Sequence, residues 1–186
     1  MSGNSKCSVR ELAAKEKIFS SVKTIRSVPI NVSLVYPNTY SLGMSNLGFQ
    51  SIYYQINSRD DALCHRAFLS SQNDNTCNIN TVEADKSISE YDIIGFSVSF
   101  EMDYINIIKI LELANIPVFA KDRQTTLVMI GGPIATFNPE PLALFADIFV
   151  VGEGEEVIHE IMTVYKEYQK KPKKEILEAL SQIQGV

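Results

Sequence analysis

Short apolar runs rich in β-branched residues alternate along this chain with longer stretches of helical period. NVSLVY (Asn31 to Tyr36), ALCHRAFL (Ala62 to Leu69), Ile93 to Ser99, Leu127 to Ile130 and Ile148 to Val151 are predicted strands, the last two buried. Ile79 to Glu83 is expected to add a short edge strand, and IPVFA (Ile116 to Ala120) gives one more short run. Between them, a helix capped by Ser45 or Asn46 is expected to run to about Asn57. Glu101 to Ala114 keeps Asp103, Asn106, Lys109 and Glu112 as a narrow polar stripe and is otherwise apolar, which predicts a largely covered helix. After Gly154, one helix face carries Val157, Ile158, Ile161, Met162, Tyr165 and Tyr168; a last helix, Lys174 to Gln184, carries Ile176, Leu177, Leu180 and Ile183. Ahead of the first strand, Ser8 with Glu11 fits a capping box opening a short helix through RELAAKEKIF. Strands alternating with helices imply an α/β fold with a parallel sheet and right-handed crossovers.

The stretch LVMIGGPIATFNPEPLALFADIFVVGEGEE, Leu127 to Glu156, organises the rest. Its two strands end in glycine, at Gly131-Gly132 and at Gly152 with Gly154, where the lack of a Cβ lets backbone approach a ligand. The carboxyl edge of an open α/β sheet is where ligands bind. Ser97 to Ser99 bring hydroxyls to the same edge if the strands are parallel, and PNTYSLGMSNLGFQ, Pro37 to Gln50, brings an amide-rich loop. A bulky residue replacing Gly132 is expected to block ligand entry more than it unfolds the domain. Neither GxGxxG nor a P-loop pattern is present. Glu153, Glu155 and Glu156 suit a positive helix end but repel phosphate, so this end favours hydroxyl or amide donors.

Composition narrows the function classes. With 186 residues, 45% hydrophobic and 21% charged, the chain is ordinary globular material for one domain with a helical appendage. A net charge of -5 and a pI near 5.1 argue against a nucleic-acid surface. The basic cluster Lys170 to Lys174, broken by Pro172, reads as a solvated loop between helices. No apolar run reaches the roughly 20 residues a bilayer needs, and MSGNSKCSVREL lacks the apolar core of a signal peptide. Cys7, Cys64 and Cys77 form no disulfide framework and suit a reducing cytosol, so a cytoplasmic location is expected. Cys64 and His65 point to opposite faces of a strand and cannot readily share a metal. His159 is expected at the surface near Glu155 and Glu156. No catalytic or metal-ligating residue is assigned.

LVYPNTYSLGMSNLGFQSIYYQIN, DIIGFSVSFEMDYINIIKILELANIPV, the GGP…NPEP…GEGEE series and the closing IQGV together resemble the amino-terminal domain of cobalamin-binding-domain radical S-adenosylmethionine (SAM) proteins, from about Asn31 to Val186. The resemblance implies a three-layer Rossmann-like or flavodoxin-like parallel sheet with helices on both faces. It divides the chain into a helical leader (1–29), a cobalamin-binding-type domain (30–170) and a helix (171–186) leading to a radical SAM barrel with a four-iron cluster on CxxxCxxC. That motif is absent here, so the cluster and SAM would belong to a longer polypeptide. Carried onto this sequence, Gly43, Met44 and Ser45 would face the corrin. Ser97 with Gly131 and Gly132 would line the nucleotide-tail groove, Gly152, Glu153, Gly154 and Glu155 would close the site, and Ser99 and Pro133 are further cofactor-binding candidates. The Asp-x-His-x-x-Gly motif that supplies a cobalt ligand in other cobalamin domains is missing, which makes a histidine-ligated cobalt an unfavoured reading. Two functions follow: a cobalamin-binding part of a radical SAM enzyme, or a cofactor-free interaction or substrate-positioning module of one. A signalling receiver fits less well, because Tyr36 and Pro37 stand where it needs acidic residues.

Overall fold

A computed structural model describes residues 9–17, 27–69 and 79–186. Ser8 of the expected capping box, the end of the leader helix at Ile18 and Phe19, the polar segment Ser71 to Asn78, Cys7 and Cys77 lie outside them. In chain order the helices and strands are α1 (Val9–Ala13), β1 (Ile30–Tyr36), α2 (Tyr40–Met44), α3 (Leu47–Asn57), β2 (Ala62–Phe68), β3 (Ile93–Ser97), α4 (Tyr104–Leu113), β4 (Leu127–Gly131), α5 (Pro133–Phe137), β5 (Ile148–Phe149), α6 (Gly154–Tyr168) and α7 (Lys173–Leu180).

The strands form one parallel sheet in the order β2-β1-β3-β4-β5, a flavodoxin-like arrangement with its switch point between β1 and β3. Strands covered on both faces need apolar residues at successive positions rather than alternating ones, which is why INVSLVY and IIGF carry so few polar side chains. One face packs Val32, Leu34, Tyr36, Cys64 and Met129 against Phe49 and Ile56 of α3, Ile158, Ile161, Met162 and Tyr165 of α6, and Ile176 and Leu180 of α7. The other packs Val35, Ala67, Ile94, Phe96 and Ile130 against Ile107, Ile110 and Leu111 of α4 and Ile134 and Ala135 of α5. Helices therefore cover both faces, giving three layers.

Two segments and two charged side chains differ from the sequence expectation. Ile79 to Glu83 forms no strand: it turns back on itself through the Asn80–Ser87 bridge, with Asp85 at positive φ and the Thr81 N–H donating to the Lys86 carbonyl. Ile116 to Ala120 forms none either, since Pro117 has no N–H to give a ladder and the Pro117 and Val118 carbonyls accept from the Arg123 guanidinium. Asp103 leaves the polar stripe of its helix and is buried, its Oδ1 accepting from the Asn38 and Asn106 amides. Lys173 leaves the solvated cluster: its Nζ lies 2.6 Å from Asp147 Oδ1 and donates to the Ala120 and Arg123 carbonyls, tying α7 to the sheet.

Candidate functional site at the carboxyl edge of the sheet

In the aligned register Leu34, Gly95 and Met129 sit side by side on β1, β3 and β4. A Cβ on Gly95 would come within 3.3 Å of Met129 Cε and 3.4 Å of Leu34 Cδ1, so glycine leaves a trough in the sheet face between two long apolar side chains. Ile52 of α3 and Ile158 of α6 flank it, and the space between is a cavity of about 460 Å³. Its walls are mostly apolar, and Asn46, Ser97, Ser99 and Thr136 supply neutral hydrogen-bonding groups.

Local chemistry holds the mouth in shape. The Asn46 side chain caps α3 by accepting from the Phe49 N–H, while its Nδ2 donates to Ser99 Oγ at 3.0 Å. Asn38 reaches Asp103 in the same direction, so the loops after β1 and β3 are fastened to each other. On the far side the Gly152 N–H donates to Thr136 Oγ1, joining the loops after β4 and β5. The mouth is thus framed by two fastened pairs of loops.

The structure brings Ser97, Ser99, Gly131, Gly132, Pro133, Gly152, Glu153, Gly154 and Glu155 together around this cavity. Gly43, Met44 and Ser45 stand off it: Gly43 is buried against Phe68 and Tyr36, the Met44 sulfur accepts from Arg66, and Ser45 Oγ donates to the Ser41 carbonyl. Sequence reasoning missed Leu34, Gly95, Met129, Ile52 and Ile158, which carry no polar signal, and Thr136 and Phe137 just ahead of NPEP. Gly132 has φ 101° and ψ -179°, and a Cβ there would lie 2.6 Å from the Val98 carbonyl oxygen. Replacing it strains the fold itself, so a bulky residue there would act on stability as well as on any ligand.

The cavity wall carries no cationic side chain. No Lys or Arg occurs in 27–58, 92–108 or 124–165, which supply all of the cavity wall, whereas Glu153 and Glu155 stand at its mouth. Neither histidine lines it. His65 Nδ1 is 2.7 Å from the buried Tyr91 hydroxyl, and burial, the main cause, raises that phenol to about 12. His159 Nε2 is 2.9 Å from Gln55 Oε1 on α3 and is half-buried there, a firmer placement than the surface position expected beside Glu155. Among the described residues no group of three His, Cys, Asp or Glu could hold a metal ion. The cavity can therefore take an apolar group, with hydroxyls and an amide among its polar lining.

A family model for the N-terminal region of radical SAM proteins matches residues 48–186. The chain belongs to this family. The match takes in every cavity-lining residue of this radical SAM N-terminal domain except Leu34 and Asn46. The domain is also 28% identical over 152 residues to an uncharacterized protein of Methanocaldococcus jannaschii, an alignment covering 77% of this chain and 30% of that protein. It spans less than a third of that relative's length. No solved structure matches it. No helix among the described residues is long and apolar enough to cross a membrane.

Proposed function

We propose that this chain is the cobalamin-binding N-terminal domain of a radical SAM enzyme and that the Gly95 cavity receives the nucleotide tail of the cofactor. The observation that carries the reading is an apolar cavity over Gly95, opening at the carboxyl edge of a flavodoxin-like sheet. The residues fit such a guest: Leu34 and Met129 form a floor for a flat ring, Ile52 and Ile158 its sides, and Ser97, Ser99, Asn46 and Thr136 the polar contacts at the entrance. Bound cobalamin would supply methyl-transfer or rearrangement chemistry at an unactivated carbon. In the longer polypeptide a following barrel would hold the four-iron cluster and SAM, since this chain has no CxxxCxxC. The chain's own part is to hold and orient the cofactor and keep water from its apolar end. The free thiol of Cys64 suits a reducing, cytoplasmic setting.

Gly95→Leu tests the reading, because its Cβ would meet only the flexible ends of Met129 and Leu34 and the added bulk would take space from the cavity. The variant should keep cooperative unfolding and lose at least tenfold in affinity for hydroxocobalamin under anaerobic conditions. A folded Gly95→Leu protein that binds as well as the parent removes the cavity from the account.

A further inference from the structure

Arg66 is buried on β2, the edge strand of the sheet, in register with Leu34 of the cavity floor. Its guanidinium meets two carboxylates and rests over the Tyr53 ring of α3, 4.9 Å from the centroid. Nε lies 2.6 Å from Glu83 Oε1, while Nη1 and Nη2 donate to the two oxygens of Glu16 at 2.9 and 3.1 Å. Such a fork takes a carboxylate along both of its oxygens. Glu16 belongs to the leader. It also accepts from the Tyr40 hydroxyl, and Arg66 Nη1 lies 3.1 Å from the Met44 sulfur, so the cluster grips α2 at its first and last residues. Burial first, and then the hydrogen bond to Glu16, push the Tyr40 phenol well above its ordinary value and keep it a donor.

The leader is attached in a way that lets it leave. α1 buries none of its residues, and a second ion pair, Arg10 with Asp85, is exposed on both sides. In the cluster two carboxylates share one guanidinium, so withdrawal of Glu16 would leave Arg66 paired with Glu83 and strand no buried charge. What the leader would let go is α2. Two residues past Met44, Asn46 caps α3 and donates to Ser99 at the mouth of the cavity, and the Met44 carbonyl accepts from Gln50 of α3. Movement of α2 is therefore passed to the cavity wall.

We propose that the leader is a strap: Glu16, seated in a carboxylate-receiving site formed by Arg66 and Tyr40, holds α2 in place and so sets how firmly Asn46 closes the mouth of the cavity. The proposal concerns the wall of the cavity and not its guest, so it stands apart from the cofactor reading.

Hydrogen exchange of the 186-residue chain, followed amide by amide by NMR without ligand, tests this. Glu16→Gln keeps the shape of the side chain and removes its charge. Exchange at Ala14 and Lys15 should rise at least tenfold as the leader lifts. Exchange at Gly43, Asn46 and Phe49, whose N–H groups are bonded around α2 and at the cap of α3, should rise several-fold, with β3 and β4 unchanged. Tyr40→Phe cuts the tie between Glu16 and α2 and spares the pair with Arg66. It should speed exchange at Gly43, Asn46 and Phe49 while Ala14 and Lys15 keep the rates of the parent. A leader that lifts while Gly43, Asn46 and Phe49 keep their rates would overturn the proposal, as would a leader that stays in place in Glu16→Gln. Faster exchange throughout β3 and β4 in both variants would make the cluster a plain stability element and overturn it too. Failure of the chain to bind cobalamin would leave these rates untouched and count only against the cofactor reading.

Discussion

Gly132 and Gly95 are both glycines at the carboxyl end of the sheet, yet they act through different physics. Gly132 adopts a backbone conformation that is essentially reserved for glycine, and the Val98 carbonyl oxygen occupies the space a Cβ would need. Gly132→Ala should therefore lower the unfolding free energy by about 1–3 kcal/mol, read from urea denaturation with an unchanged m-value. Gly95 has ordinary strand geometry and matters for the volume it leaves open, so its replacement is felt by a ligand first. The first kind of glycine was legible in the sequence, because a Gly pair directly after an apolar run announces a turn at a strand end. The second was not: Gly95 lies inside a strand, and its effect depends on Leu34 and Met129, which only the register places beside it.

Charged side chains set how the helices are fastened to the sheet. Asp61, in the turn between α3 and β2, accepts from Arg59 and from Lys166 of α6, and Arg59 also donates to the His159 carbonyl. These bonds, Arg59 first, hold the Asp61 carboxyl down to about 2 against the opposing effect of burial. A depressed folded-state pKa means stability that is present above the ordinary carboxylate range, near pH 4, and is lost as pH falls toward 2. Asp61→Asn should destabilise the protein at pH 6 and show a shallower acid limb between those limits, measured by thermal melts across pH. At α7 the contrast lies between neighbours. Lys173 is held by Asp147 and two carbonyls, and Lys173→Ala should cost about 1.5–3 kcal/mol. Lys174 makes only an exposed pair with Glu178, and Lys174→Ala should cost about 0.5 kcal/mol or less. Chemical denaturation of the two variants checks the difference. A run of basic residues with a proline reads as solvated because sequence does not show the buried Asp147 that one of them meets. Asp103 was misplaced for the same reason, its amide partner Asn38 lying across the sheet edge.

At the scale of the molecule, the alternation of apolar runs with helical periods was enough to predict an α/β fold with a parallel sheet, and the three layers followed from the family resemblance. Short polar segments such as Ile79 to Glu83 escaped that logic because their partners are backbone groups. The edge that gathers Ser97, Ser99, Gly131, Gly132, Pro133 and the Gly152 to Glu155 loop was legible from glycines and hydroxyls, whereas the apolar floor needed the tertiary arrangement. Together these features give a domain with an apolar cavity whose mouth combines neutral polar groups with Glu153 and Glu155. The most direct test of that account is an anaerobic calorimetric titration of the folded chain and of the full-length polypeptide with cobalamin(II). Saturable one-to-one binding, lost in Gly95→Leu, is the predicted result; no saturable binding by either folded protein would contradict the account.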